Sequence, residues 1–134
     1  MRYMLDTNIC IYIINRSPKE VYRHFKNLKI GDICISAITS YELHFGVSKS
    51  QRPKQNQIAL VDFLAPLEIL ELPVGAAPLF GELRTSLQKQ GRTIGNFDLL
   101  IATHALHLGL TLITNNEKEF QRIPKLKVEN WVRP

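Results

Sequence analysis

The sequence predicts an α/β protein, a three-layer α/β/α sandwich around a central, mainly parallel sheet. Three observations predict it. Short apolar runs alternate along the chain with longer stretches in which apolar side chains recur every three or four positions. Strands that alternate with helices imply right-handed crossovers and a sheet covered on both faces. No repeat, low-complexity tract or linker interrupts the pattern, and 134 residues with 45% hydrophobic content supply one core, so residues 1–134 read as a single domain.

Tyr3 to Leu5 form a short apolar run stopped by Asp6, and Ile9 to Ile14 resume on a helix face, which predicts a strand and then a helix capped near Asp6. Pro18 suits the first turn of a second helix, where Val21, Tyr22, Phe25 and Leu28 recur at helical spacing before Gly31. Asp32 to Ser36 (DICIS) predicts a buried strand, followed by a helix carrying Ile38, Tyr41, Leu43, Phe45 and Val47. The polar stretch Ser48 to Gln57, broken by Pro53, predicts an exposed turn before a helix from Ile58 to Leu64. Leu67 to Leu72 alternate as a strand does, and Ala77 to Gln90 return to helical periodicity. The loop QGRTIG leads into the helix FDLLIATHALHL, which Gly109 stops. Leu110 to Thr114 predict a strand, Asn116 to Phe120 a helical turn, and Lys127 to Asn130 an edge strand.

The formal net charge is +5 and the sequence pI about 9.4, a balance that favours an acidic partner, nucleic acid ahead of a membrane surface. Cys10 and Cys34 lie in apolar runs without C-x-x-C spacing and read as buried, reduced thiols. The N-terminus MRYMLDTN is not that of a signal peptide, and no apolar run is long enough to span a membrane. A cytoplasmic protein is the expectation.

Against this basic background, Asp6, Glu42, Asp98 and Glu119 each stand near a junction of strand and helix, and without them the net charge would be +9. Each has a local structural explanation. Asp6 suits an N-cap; Glu42 follows Thr39 as T-x-x-E, a capping box; Asp98 follows a capping Asn96 as a first-turn acid; and Glu119 follows Asn116 as N-x-x-E. The combination is what capping leaves unexplained. In open α/β sheets the ligand crevice lies beyond the carboxyl ends of the strands, and a cluster of carboxylates there needs a cation. Carboxylates beside the Thr7 hydroxyl and Asn8 amide are hard oxygen donors, suited to Mg²⁺ or Mn²⁺ and poorly suited to zinc. Phosphodiester hydrolysis uses such a set.

His104 and His107 share a helix face but lack a third ligand at zinc spacing, and His24 and His44 read as packing residues. No P-loop, dinucleotide fingerprint or nucleophile elbow is present.

Four segments in order, MLDTN at 4–8, Ser36 to Gly46 (S-x-I-T-x-x-E-L-x-x-G), IGNFDLLIATHA at 94–105 and LITNNEKEF-x-RIP at 112–124, resemble the PIN-domain family and, within it, the VapC-type toxins of bacterial toxin–antitoxin pairs. The resemblance spans essentially the whole chain. It implies an α/β/α fold and Mg²⁺- or Mn²⁺-dependent cleavage of structured RNA such as tRNA or rRNA. By position it implies Asp6, Glu42 and Asp98 as metal ligands. Asn116 stands where many members have Asp, so either Glu119 completes the site or Asn116 orients a water beside three acids. The resemblance also implies a VapB-like antitoxin that places a basic side chain in the acidic cleft. It further implies a homodimer, with the helices from Ile9 to Leu28 and Ala37 to Val47 as candidate interface.

Lys89 and Arg92, in the approach to Asp98, and Lys49, Arg52 and Lys54, in the polar stretch, are candidate phosphate contacts. A solvated polar loop is the better account of the second group. A metal phosphohydrolase acting on DNA or a small phosphate ester, and a non-catalytic RNA-binding module, are the alternatives to a ribonuclease toxin.

Overall fold

The computed structural model describes residues 1–132. In chain order it comprises β1 (Tyr3–Leu5), α1 (Thr7–Asn15), α2 (Lys19–Asn27), β2 (Ile33–Ser36), α3 (Ala37–Ser48), α4 (Pro53–Leu64), β3 (Glu68–Leu70), α5 (Ala77–Lys89), α6 (Asn96–Leu108), β4 (Thr111–Ile113), α7 (Glu117–Phe120) and β5 (Lys127–Glu129). Single 3-10 turns occupy Ile30–Asp32 and Val74–Ala76. The five strands form one sheet in the order β3-β2-β1-β4-β5, with every pair parallel.

Alternation along the strands sorts the core into two layers. Met4, Cys34 and Leu112 point to the face covered by α5, α6 and α7, where they meet Leu83, Leu87, Leu99, Ile101, Ala102 and Phe120. Leu5, Ile33, Ile35 and Ile113 point to the other face, against Ile9, Cys10 and Ile13 of α1, Val21 of α2, Leu43 of α3 and Leu60 of α4. The predicted α/β/α sandwich is therefore the observed architecture. Cys10 and Cys34 are buried free thiols within it. Trp131 closes the second layer, fully buried, stacked on His24 with centroids 5.5 Å apart and edge-on to Tyr3.

Several boundaries differ from expectation, each for a local reason. The fourth helix begins at Pro53 rather than Ile58, because proline at the first helical position lacks only an N–H that would be unpaired anyway. Pro18 is the cap of α2 and not part of its first turn. The LEILEL strand shortens to Glu68–Leu70, paired to β2 by Cys34↔Glu68 and Ser36↔Leu70. Gly95, not Asn96, caps α6. Gly109 ends α6 as predicted, with φ +71, the left-handed conformation that glycine takes without strain.

The T-x-x-E capping box at Thr39 and Glu42 does not form. Ser36 caps α3 instead, its Oγ accepting from Ile38 N at 3.2 Å. The same Oγ lies 2.8 Å from His104 Nδ1. The two share one hydrogen bond, while His104 Nε2 is buried with no hydrogen-bond partner among the described residues. Burial first, and then neighbouring His107, push the His104 imidazole below its ordinary pKa, so it is neutral. Ser36→Ala would remove a cap and leave a second ring nitrogen unpaired, an expected loss of about 2 kcal/mol in urea unfolding. A loss below about 0.5 kcal/mol would refute this pairing.

Candidate active site

The chain steps from β1 to β2 to β3 in one direction, then crosses back to lay β4 on the far side of β1. Crossovers thus leave β1 and β4 in opposite directions, and their carboxyl ends border the crevice in which α/β folds place ligands.

Asp6 stands there, immediately after β1. Its backbone N–H donates to Ile113 O at 3.0 Å, tying it to β4, and its Oδ1 accepts from Ile9 N at 2.9 Å as the N-cap of α1. The same carboxylate therefore caps α1 and stands at the carboxyl end of β1. Only 5% of its surface is exposed. Burial pushes its pKa up to about 6, opposed by hydrogen bonds from the Thr114 hydroxyl and Ile9 N–H and reinforced by the charges of Asp98 and Glu42. Thr114 is buried at the end of β4, and its Oγ1 accepts from Asn116 N at 2.9 Å. That geometry leaves its hydroxyl proton for Asp6.

Glu42 lies mid-helix in α3 and is half-buried. It accepts from Thr7 Oγ1 at 2.6 Å, and Thr7 Oγ1 is 3.5 Å from the buried Thr39 Oγ1. Instead of capping its own helix, Glu42 is held toward the start of α1, the helix that Asp6 caps. Asp98, in the first turn of α6, is half-buried and its pKa is raised by burial, then by Glu119 and Glu42. Glu119 is half-buried and accepts from the exposed Asn116 Nδ2.

The structure thus brings Asp6, Thr7, Glu42, Asp98, Asn116 and Glu119 to one edge of the sheet. Asp6 feels Asp98 and Glu42, and Asp98 feels Glu42 and Glu119, while among the described residues no Lys or Arg is among the groups that shift either one. Among the described residues, no three His, Cys, Asp or Glu side chains are gathered around one point as a finished metal cage. The acids sit at Coulombic range of one another. Their all-oxygen chemistry and uncompensated charge fit a hard divalent cation. Thr39 and Thr114 are polar members that sequence reading missed; their signal was a hydroxyl placed just beyond a strand's carboxyl end.

The candidate phosphate contacts separate. Lys49 caps the far end of α3, about 20 Å along the helix from Ser36, with Nζ 5.0 Å from the Phe45 ring centroid. Arg52 is the exposed cap of α4, with Lys54 just inside that helix. Lys89 lies on the outer face of α5, beside Glu82 and Ser86. Arg92 lies in the loop that leads to Asp98. Ile11, Ile14, Leu43, Val47 and Leu60 line a mainly apolar groove of about 340 Å³ among α1, α3 and α4, whose lining also includes Glu42 and Lys49. Tyr41, Phe45, Ile58 and Val61 are exposed on the same two helices, α3 and α4.

Comparison with known proteins places this geometry in context. The PIN domain family model matches residues 3–126. Ribonuclease VapC2 of Rickettsia felis is 52% identical over 132 residues, covering 98% of both chains. The tRNA(fMet)-specific endonuclease VapC of Shigella flexneri is 42% identical over 131 residues, again covering 98% of each. The crystal structure of VapBC2 from Rickettsia felis bound to a DNA fragment from their promoter contains a chain that superposes with a TM-score of 0.88 at 50% identity, covering 98% of this chain and 99% of that one.

Proposed function

The chain belongs to the PIN domain family and, within it, to the VapC ribonucleases, and from that premise we propose that it is a metal-dependent endoribonuclease toxin cutting structured RNA, tRNA ahead of rRNA. The observation that carries the metal-dependent reading is the buried Asp6 carboxylate, coupled to Asp98 and Glu42 with, among the described residues, no basic side chain acting on it. A charge so placed is costly unless a cation joins it.

Asp6, Asp98 and Glu42 are the residues that would hold Mg²⁺ or Mn²⁺. When bound, such an ion supplies Lewis acidity toward the scissile phosphate and makes water a competent nucleophile near neutral pH. The chain's own residues prepare the site. Ile9 N–H and the Thr114 hydroxyl fix the Asp6 carboxylate, and the Thr7 hydroxyl fixes that of Glu42. Asn116 holds Glu119 by a side-chain hydrogen bond. In this reading Asn116 takes the position of a usual acid and orients Glu119, whose charge reaches the centre through Asp98.

A VapB-like antitoxin is the partner this reading requires, as the VapBC complex of Rickettsia felis supports. The apolar groove beside Glu42 would seat an apolar segment of it, leading a basic side chain toward the acids. A homodimer through the α1–α2 and α3 helices completes the assembly. Purified protein offered tRNA, DNA and a chromogenic phosphodiester with Mg²⁺ or Mn²⁺ is expected to cut tRNA, and chelation is expected to stop it. Cleavage of only DNA or the small ester would replace this reading with a general phosphohydrolase. Binding of RNA without cleavage under any metal would replace it with a non-catalytic module.

A further inference from the structure

Beside the acids lies a second, oppositely charged feature. Gly91, Arg92 and Thr93, from the loop between α5 and α6, face Lys118 and Arg122, from α7 and the turn after it, across a cleft of about 370 Å³. Three cationic residues and no carboxylate line it. We propose that this cleft is a phosphate subsite, which grips the RNA backbone a short distance along the strand from the phosphate being cut. The inference rests on the ribonuclease reading and adds to it a place where the substrate is held.

Geometry distinguishes the cleft from scattered surface lysines. Arg122 Nη1 donates to Thr93 O at 3.2 Å, joining two segments that are distant in sequence and fixing the guanidinium while its remaining N–H groups stay available. A fixed guanidinium loses little freedom when it meets a phosphate, which it can bind through two oxygens. Gly91 ends α5 with φ +67, a left-handed turn that directs the chain into the cleft's wall. Arg92, Lys118 and Arg122 carry like charges around one cavity, an arrangement that an anion relieves.

Both walls run directly into the acidic centre. Lys118 is followed by Glu119, and the loop bearing Arg92 continues through Gly95 into the first turn of α6, where Asp98 stands. A strand whose phosphate enters the cleft therefore has its neighbouring phosphates delivered to the carboxylates. Such contacts position the substrate without reading its sequence, consistent with a substrate chosen by shape elsewhere on the surface.

The test compares Arg92→Ala/Lys118→Ala with Arg122→Lys and with Lys29→Ala, whose cation precedes the amino end of β2, at the edge of the sheet away from the acids. Binding of a fluorescein-labelled tRNA transcript is read by anisotropy in an Asp98→Asn background across a salt series, and cleavage is read in the otherwise unaltered chain. The double variant is expected to bind about tenfold or more weakly, with a salt slope shallower by about 1.4 to 1.8 for two lost phosphate contacts. Its kcat/KM should fall by the same factor while kcat at saturating tRNA holds. Arg122→Lys, which keeps the charge and loses the fork, should fall between the double variant and Lys29→Ala. Cleavage by the unaltered chain, with the double variant matching Lys29→Ala in affinity and slope, would overturn the subsite and leave the ribonuclease reading standing. Absence of both tRNA binding and cleavage in the unaltered chain would overturn the ribonuclease reading and the subsite with it.

Discussion

Asp6→Asn is expected to make the metal-free protein more stable at pH 7.5 while abolishing RNA cleavage. The unfolded chain releases the Asp6 proton near the ordinary value of 3.8, whereas burial holds it until about pH 6 in the folded state. Between those values the folded state binds more protons than the unfolded one, so stability falls as pH rises from about 4 to about 6 and is then level. A carboxyl held two pH units above its ordinary value corresponds to about 3 kcal/mol withheld at neutral pH. Asparagine accepts the Ile9 N–H as aspartate does, so the cap survives. Its amide brings a smaller desolvation cost, and a net gain of about 2 kcal/mol, on the order of 5–10 °C in Tm, is the expected result. Mn²⁺ should stabilise the unaltered protein at pH 7.5 and affect Asp6→Asn far less. A variant with an unchanged or lower Tm throughout pH 4–8, or one that still cleaves RNA with Mn²⁺, would sink the assignment.

That a single carboxylate both caps a helix and lacks a counter-charge explains why the sequence was legible at some positions and not at others. Strand and helix order follows from apolar periodicity, a local property, and MLDTN, DICIS and LITNN each stand where the parallel sheet places its carboxyl edge. Capping is also local, yet it misled at Glu42. Thr39 and Glu42 have capping-box spacing, but Ser36 supplies the cap three residues earlier, so Glu42 is free to meet Thr7 of another helix. That contact spans 35 residues, and no short-range pattern encodes it. The role of Thr114 was hidden for the same reason, since its partner Asp6 follows the neighbouring strand β1 rather than lying in its own segment. Lys118 and Arg122 meet the loop carrying Arg92 only in the folded chain, across a separation that is 29 residues from Thr93 to Arg122 and that no short-range pattern encodes.

Asp98→Asn is expected to relieve the growth arrest that follows expression of the chain without a partner, and to do so with the fold intact. Asp98 is half-buried in the first turn of α6, where its charge is raised in energy by burial, by Glu119 and by Glu42. Asparagine at that place leaves Gly95 as the cap and the core residues Leu99, Ile101 and Ala102 untouched, so the substitution removes charge rather than structure. Loss of a residue proposed to bind the essential metal should lower cleavage by about 10³-fold or more, roughly 4 kcal/mol in the barrier. Glu119→Gln should cost much less, about tenfold, because Glu119 is held by Asn116 and acts on the centre through Asp98. Growth curves after induction, paired with tRNA cleavage by the purified variants, rank the two positions. An Asp98→Asn protein that remains fully toxic would show a harm unrelated to catalysis. A Glu119→Gln protein as inert as Asp98→Asn would instead make Glu119 a direct member of the metal site and Asn116 the residue that holds it there.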